Sequence, residues 1–351
     1  MAIEVIGTGK AVPSLRVSND DLTDRVDTSD EWIRSHTGIG FRHFIDETTA
    51  TSDLALEAAK NALAMAAGCT GNGLLDPQER DRAASEAAKT LDFIVIGTAT
   101  PDFVGSPATA CIVQDKLGAK NAAAMDITAG CTGFVYGLET AAGILGISSE
   151  RKRALVIGAE TLSTVIDWTD RGTCILFGDG AGAVVIEKTD APSHGPDRRG
   201  LVRTMLRADG SGRDSLLFRR GGSRNPIKAG ETLDKPICIE MNGQEVYNFA
   251  VKAVTDTAAA LMEAEGITAD DIAWIVPHQA NARIVLAAGR RLKIPMSKLF
   301  LNIEEYANTS AASIPIALDE MNRSGKLNKG DLIMTIGFGA GLTYGGNIII
   351  W

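Results

Sequence analysis

The stretch Asp126-Ile-Thr-Ala-Gly-Cys-Thr-Gly-Phe-Val-Tyr-Gly-Leu138 reads as a strand running into a buried helix. Behind Cys131 the apolar residues Phe134, Val135, Leu138, Ala142 and Leu145 recur at helical spacing, and Glu139 is the only charged residue from 131 to 147. Such a helix belongs in a core. Gly130, Gly133, Gly137, Gly143 and Gly146 would weaken an exposed helix, so they point to backbones packed closely on more than one side. Cys131 then stands at the N-terminal end, where unpaired N–H groups and the helix dipole favour a thiolate. Such positions lower a cysteine pKa from about 8.5 into the range of roughly 3.5 to 7.5. The alternative is a buried, inert structural cysteine.

With 351 residues, 45% of them hydrophobic and 23% charged, the chain can bury a large core and is expected to form two lobes. The N-terminal Met-Ala-Ile-Glu-Val-Ile-Gly places an acid before any long apolar run, and no window reaches the ~20 apolar residues of a membrane helix. A cytoplasmic location away from membranes is therefore expected. Cysteines 69, 111, 131, 174 and 238 are odd in number and scattered, without CxxC pairs or a matching histidine cluster, which argues against a disulfide framework and a metal site. The net charge of −9 argues against nonspecific nucleic-acid binding, and any acidic partner needs a local basic patch.

In chain order, residues 3 to 8 read as a strand and a helix is expected from about Ser18. Ser29 ahead of Trp32 and Ile33 marks a helix start, and 51 to 67 is an alanine-rich amphipathic helix. The piece 69 to 90 is punctuated by Gly71, Gly73 and Pro77 and then dominated by charge, so it reads as a surface insertion. Residues 92 to 98, 123 to 127, 154 to 158 and 177 to 186 are strands, with a helix over Pro107 to Leu117 between the first two. Their continuous apolar runs suit a sheet covered on both faces. The polar segment 190 to 230, rich in Gly, Pro and Arg, reads as the connection between halves.

After it the order recurs. Ile272 to His278 echoes 92 to 98, Asn308-Thr-Ser-Ala-Ala-Ser starts a helix as Cys131 does, Leu332 to Gly337 echoes 155 to 158, and Gly341 to Ile350 echoes 180 to 186. Thr98 to Cys131 spans 33 residues and His278 to Asn308 spans 30. A duplicated α/β unit follows, with halves 1–190 and 191–351 and with Cys131 and Asn308 at related helix starts near a pseudo-twofold axis.

Of four histidines, His278 stands at a strand end in Val276-Pro-His-Gln-Ala-Asn281, where catalytic groups of open α/β sheets gather. Asn308 alone would serve as a helix cap. A Cys, a His and an Asn at element ends together suit a covalent acyl-thioester mechanism. Two chemistries use that set. In a cysteine hydrolase the Asn orients the His, which activates the Cys. In a decarboxylating condensing enzyme His and Asn both donate to a thioester oxygen as carbon dioxide leaves. The duplication, which brings the two helix starts together, favours the second.

The motifs Thr28-Ser-Asp-Glu-Trp-Ile, Gly130-Cys-Thr-Gly-Phe, Thr169-Asp-Arg-Gly-Thr, Phe177-Gly-Asp-Gly-Ala-Gly-Ala, Val276-Pro-His-Gln-Ala-Asn, Asn308-Thr-Ser-Ala-Ala-Ser and Gly337-Phe-Gly-Ala-Gly-Leu-Thr resemble those of the β-ketoacyl-(acyl-carrier-protein) synthase III family of the thiolase superfamily. They run in family order from about residue 3 to 351. The resemblance implies a five-layered αβαβα fold, a homodimer, no cofactor besides acyl-CoA as substrate, and condensation of an acyl-CoA primer with malonyl-acyl carrier protein. It makes Cys131 the nucleophile, and His278 and Asn308 the groups that stabilise the enolate. The backbone N–H of Cys131 and one in Gly339-Ala340 would form the oxyanion hole, Trp32 and Arg171 would sandwich the adenine of CoA, and His36 would stand among the CoA contacts. Ser106, just before Pro107, would lie at the far end of the partner subunit's acyl pocket, where a bulky aromatic restricts primers to short ones. A related acyltransferase or specialised condensing enzyme of secondary metabolism, and a non-catalytic thiolase-fold subunit, are the alternatives; retention of His278 and Asn308 speaks against simple acyl transfer, and retention of Cys131 against a non-catalytic subunit.

Several positions depart from the family pattern. His36 and Gly40 stand where Arg is common, Gly130 and Thr132 flank the cysteine where Ala is usual, and Ile336 replaces a Glu. On a helix after His278, Arg283, Arg290 and Arg291 fall at i, i+7 and i+8, opposite Ile284, Val285, Ala288 and Leu292. That basic ridge on an acidic protein is the expected surface for the carrier protein.

Overall fold

The computed structural model describes residues 1–69, 76–233 and 235–351. Its first part runs β1 (Ala2–Ala11), β2 (Leu15–Ser18), α1 (Asp30–Thr37), β3 (Phe41–Phe44), α2 (Thr51–Ala66), α3 (Pro77–Ala88), β4 (Phe93–Gly97), α4 (Thr109–Leu117), β5 (Ala123–Ile127), α5 (Gly133–Gly146), β6 (Arg153–Glu160), α6 (Arg171–Cys174) and β7 (Gly180–Thr189). The remainder runs β8 (Gly200–Ala208), β9 (Leu216–Phe218), β10 (Ile239–Met241), α7 (Gly243–Glu265), β11 (Trp274–Pro277), α8 (Ala282–Leu292), α9 (Ile303–Tyr306), α10 (Ser313–Arg323), β12 (Leu332–Gly339) and β13 (Thr343–Ile350).

Two sheets carry the architecture, one ordered β1-β7-β6-β4-β5 and the other β11-β12-β13-β8. Within the first, β4 runs parallel to β5 and β6, while β7 is antiparallel to β1 and β6. Strand β4 is apolar at every position because each of its faces meets a different layer. On β4, Ile94 and Ile96 pack with α2, α3 and α4, while Phe93 and Val95 pack with α5. On β12, Ile333 joins that central cluster and Met334 and Ile336 pack with α7 and α8. The layers are thus α2/α3/α4, sheet, α5/α10, sheet and α7/α8, the five-layered αβαβα fold of the thiolase type. No helix among the described residues is long and apolar enough to cross a membrane.

Four expectations need correction. The helix expected from about Ser18 is only a short 3₁₀ turn at Asp20–Leu22, and the residues before it form strand β2, paired antiparallel with β3. The segment 190 to 230 is more than a connection, since Gly200–Ala208 forms β8 on the edge of the second sheet against β13. Leu201, Val202, Met205 and Leu206 supply its packing surface. Of the expected surface insertion, residues 70–75 lie outside the described part; residues 77–88 form α3, started by the Asp76 cap and Pro77, with Ala84, Ala87 and Ala88 buried in the core. Glu79, Arg82 and Glu86 are exposed, while Arg80 and Asp81 pair with Glu57 and Lys60 of α2.

The fourth correction concerns the repeat. Cys131 lies in a 3₁₀ turn, Gly130–Thr132, that leads into α5, and Ser310–Ala312 forms the same turn leading into α10. The counterpart of Cys131 is therefore Ala311, not Asn308. With that register His278 to Ala311 spans 33 residues, as Thr98 to Cys131 does. The two turns abut: a Cβ on Gly133 would stand 3.2 Å from Ala311 Cβ, and one on Gly158 would stand 2.1 Å from the Ala311 carbonyl oxygen. Of the α5 glycines, Gly133 and Gly137 are closely packed, whereas Gly143 and Gly146 face open space.

Candidate active site

The turn Ser310–Ala312 and the first residue of α10 gather the groups that the sequence singled out. Asn308 Oδ1 accepts a hydrogen bond from Ser310 N–H at 2.9 Å, which leaves the amide NH₂ free to donate elsewhere. The turn that holds Ser310 abuts that of Cys131, a Cβ on Gly133 standing 3.2 Å from Ala311 Cβ. His278 follows β11, and its Nδ1 is 2.7 Å from Ser313 Oγ. Gln279 N–H donates to the same oxygen at 3.3 Å. Ser313 Oγ also lies 2.9 Å from the Ser310 carbonyl oxygen, an acceptor for the same single hydrogen; the imidazole keeps its own hydrogen on Nε2, the tautomer that a donor to an oxyanion needs, only when Ser313 donates to Nδ1 instead. The His278 ring also packs edge-on to Phe338 at 5.1 Å, one residue before Gly339. Cys131, His278 and Asn308 are thereby brought to one place.

Gly339 and Ala340 close over Cys131. A Cβ on Gly339 would lie 2.6 Å from Cys131 N, and one on Gly130 would lie 2.9 Å from Ala340 N. Both expected oxyanion-hole segments are therefore adjacent at backbone distance, which only glycine permits.

Electrostatics here differ from the expectation drawn from the helix start. The Cys131 thiol is pushed up to about 12, first by burial, with Ser310 opposing the shift and the charge of Glu160 adding to it. Desolvation outweighs the favourable helix end in the resting site, so the neutral thiol is the stable form. Burial pushes His278 down to about 3, which keeps the imidazole neutral. Among the described residues no three His, Cys, Asp or Glu side chains are grouped to hold a metal ion.

At the expected CoA contacts, the Arg171 guanidinium lies 4.3 Å from the centre of the Trp32 ring, and the His36 ring stacks on Trp32 at 4.3 Å and 19°. Arg171 thus rests directly on the indole. An adenine between them needs roughly 3.5 Å on either side, so Arg171 must swing outward to admit it. Gly40, where Arg is common, is filled by a neighbour: a Cβ there would stand 2.5 Å from the Arg34 guanidinium, which pairs with Asp30 and Glu304 at 2.8 Å each. Arg283, Arg290 and Arg291 are exposed on α8, whose Ile284, Val285 and Ala288 face the core. Among the described residues none of the three arginines forms a salt bridge. Ser106 lies in an exposed loop with Phe103 and Val104 and is not brought to Cys131 within one chain.

Sequence reasoning missed Ser310, Ser313 and Glu160. Both serines belong to the motif starting at Asn308, so their offsets from the helix start carried the signal. Glu160 ends a continuous apolar strand and carried none.

Residues 125–210 match the family described as 3-oxoacyl-[acyl-carrier-protein (ACP)] synthase III, and residues 262–351 match that family's C-terminal part. The beta-ketoacyl-[acyl-carrier-protein] synthase III of Caldanaerobacter subterraneus subsp. tengcongensis is 46% identical over 352 residues, covering 100% of this chain and 98% of the relative. The crystal structure of 3-oxoacyl-[acyl-carrier-protein] synthase III from Aquifex aeolicus VF5 is 38% identical, covers 100% of both chains and superposes with a TM-score of 0.84. The priming β-ketosynthase of the R1128 polyketide biosynthetic pathway is more distant, at 31% identity over 99% of this chain and 96% of that one, with a TM-score of 0.84.

Proposed function

We propose that this chain, which belongs to the β-ketoacyl-[acyl-carrier-protein] synthase III family, moves an acyl group from acyl-CoA onto Cys131 and condenses it with malonyl-acyl carrier protein. In the first half-reaction the Cys131 sulfur attacks the thioester carbonyl. The oxyanion is met by the N–H of Cys131 and by one of Gly339-Ala340, and CoA departs. In the second, carbon dioxide leaves the malonyl group and negative charge moves onto its thioester oxygen. His278 Nε2–H and the Asn308 amide donate to that oxygen. The resulting enolate carbon attacks the acyl thioester and releases Cys131.

The observation that carries this reading is the way His278 and Asn308 are tied. Asn308 bonds to Ser310, and His278 to Ser313. Asn308 therefore does not orient His278, as it would in a cysteine hydrolase. Both residues keep N–H groups for a shared oxygen, and a neutral imidazole suits a donor that must not protonate the product.

The same reading assigns CoA contacts to Trp32, Arg171 and His36, the carrier-protein surface to Arg283, Arg290 and Arg291, and a cytoplasmic location. No cofactor besides the acyl-CoA substrate is required. A homodimer is supported by β5, which among the described residues pairs with β4 alone at the edge of the first sheet, and by the exposed apolar residues Met125, Phe103 and Val104. Ser106 on that loop would reach the partner's acyl pocket and leave room for a primer longer than acetyl.

Intact-mass measurement with a panel of acyl-CoAs, then with malonyl-carrier protein, tests the proposal. Wild type should gain an acyl adduct that the second substrate discharges, and Cys131→Ala should gain none. An adduct of unchanged yield in the variant removes the central claim.

A further inference from the structure

Arg42 is fully buried on β3, and among the described residues it forms no salt bridge. Its Nη1 donates to Asn19 Oδ1 at 2.8 Å and its Nη2 to the Ile175 carbonyl oxygen at 2.9 Å, while Nε finds no acceptor there. Burial lowers its pKa from the usual 12.5 to about 10, so the guanidinium still carries its charge at neutral pH. A lone cation in a core is costly, and an apolar side chain of similar volume would pack without that penalty. Nor is it needed to join its neighbours, because the apolar cluster of Leu22, Ile33, Ile39, Cys174, Ile175 and Phe177 already links α1 to α6. What Arg42 adds is direction.

One branch of its bonding reaches both ends of α1. Asn19, itself fully buried, turns its oxygen to Arg42 and donates both amide hydrogens, to Asp30 Oδ1 at 2.8 Å and to the Ile39 carbonyl oxygen at 2.8 Å. Asp30 is the first residue of α1 and Ile39 follows its Gly38 cap, so a single amide spans the helix that carries Trp32 and His36. The other branch reaches Ile175, the residue that ends α6, whose first residue is Arg171. Arg171 itself donates to the Asp27 carbonyl oxygen at 2.8 Å, just ahead of α1. A guanidinium is planar and rigid, so its two Nη groups hold the two acceptors, and the segments behind them, at a set separation. Those segments carry the Trp32 ring and the Arg171 guanidinium, which stand 4.3 Å apart.

We propose that Arg42 and Asn19 are positioning residues for the nucleotide end of acyl-CoA, setting the spacing and facing angle of Trp32 and Arg171. The inference rests on the assignment of those two residues to CoA above. Both positioning side chains lie beneath the surface and act through α1 and α6. When Arg171 swings outward to admit an adenine, the end of its helix stays tied at Ile175, so indole and guanidinium close on the ring in one geometry. Without the buried guanidinium, α1 and α6 keep their apolar contact and lose the register between them.

The experiment compares loading of Cys131 from two thioesters of the acyl group that wild type loads best, one of CoA and one of pantetheine, which lacks the adenine nucleotide. The quantity read is the ratio of their kcat/KM values, followed by intact mass. Trp32→Ala sets the scale: loss of a stacking partner for one base should lower the ratio on the order of tenfold to a hundredfold. Arg42→Lys keeps the charge but replaces the planar fork by a point donor, and should lower the ratio roughly tenfold, the low end of that range, through the KM for acyl-CoA. Arg42→Met combined with Asn19→Leu removes both buried polar groups at nearly constant volume, so it should stay folded by thermal unfolding and circular dichroism while its ratio falls as far. A purely structural role predicts equal losses on both esters, since both load the same sulfur. Equal losses, or an unchanged ratio in the folded variants, overturns the inference. A wild-type ratio in Trp32→Ala overturns the CoA assignment beneath it. Failure of wild type to load from either ester would instead overturn the condensing-enzyme reading. Calorimetric titration with adenosine 3′,5′-bisphosphate would still judge the positioning role, weaker binding by Arg42→Lys supporting it and wild-type binding overturning it.

Discussion

Gly339→Ala tests the oxyanion hole by geometry alone. Gly339 lies outside the left-handed region, so its backbone accepts alanine and only space decides the outcome. The added methyl would stand 2.6 Å from Cys131 N and 2.9 Å from Cys131 Cβ, where ordinary contact begins at 3.4 Å. Against the nitrogen the shortfall is about 0.8 Å, and both neighbours are backbone or first side-chain atoms that cannot rotate away. A misplacement near 1 Å costs about a hundredfold in rate, and loss of one oxyanion donor about 10²- to 10³-fold, or roughly 2.7 to 4 kcal/mol. Overpacking should also lower stability by about 1 to 3 kcal/mol. Single-turnover acylation read by intact mass, beside chemical denaturation, separates the two effects. Gly143→Ala is the control: it faces open space on the exposed side of α5, so it should gain about 1 kcal/mol of helix stability and load at the wild-type rate. A folded Gly339→Ala protein that acylates at the wild-type rate would refute the placement of the hole.

Ser313→Ala frees the His278 tautomer, so condensation with malonyl-carrier protein should fall about a hundredfold while acyl loading stays within a few-fold, measured by discharge of preloaded enzyme. His278 is held neutral by burial with its pKa near 3, below the unfolded value of 6.5. Its linkage therefore removes stability as pH falls from 6.5 toward 3, and His278→Gln should flatten that part of a denaturation-versus-pH curve. Reversing Arg290 and Arg291 to Glu should raise the KM for carrier-bound substrate in a salt-dependent way and leave that for acyl-CoA unchanged. Ser106→Phe should shift loading from octanoyl- and dodecanoyl-CoA toward acetyl-CoA, since three or four buried methylenes at about 0.8 kcal/mol each are worth roughly 2 to 3 kcal/mol, on the order of a hundredfold. An unchanged chain-length profile would separate Ser106 from pocket depth.

The fold was legible where burial on two faces leaves unbroken apolar strands, as at Phe93 to Gly97 and Leu332 to Gly339, and where a serine cap marks a helix, as at Ser29, whose Oγ accepts from Trp32 N–H at 3.1 Å. Strand β8 was hidden because its apolar residues alternate with Arg203 and Arg207 inside a Gly- and Pro-rich segment, a pattern shared by loops. Cys131, His278 and Asn308 could be read from their positions at element ends. The repeat register could not be fixed from residue types, because Ala311 carries no chemistry and Asn308 drew the eye three residues early. Glu160 stayed hidden for a different reason: only the meeting of the two halves packs the Ser310–Ala312 turn against β6, at Gly158. The direction of the Cys131 shift also depends on how much protein closes over the sulfur, which the local helix signal does not contain.

The abutting turns also set an order of events during synthesis. The strands of the first sheet are complete at Thr189, but the residues that cover Cys131 are Ser310 and Gly339, the latter 150 positions further on. At about 5 to 20 residues per second, translation needs roughly 8 to 30 s to cross that interval. Through it the nascent first half carries an uncovered thiol and the bare inner face of α5, with Phe134, Leu138 and Leu145 awaiting α10 and β12. The unfinished chain is therefore the form most exposed to oxidation and to sticking, and a chaperone that shields this face would act before the catalyst exists.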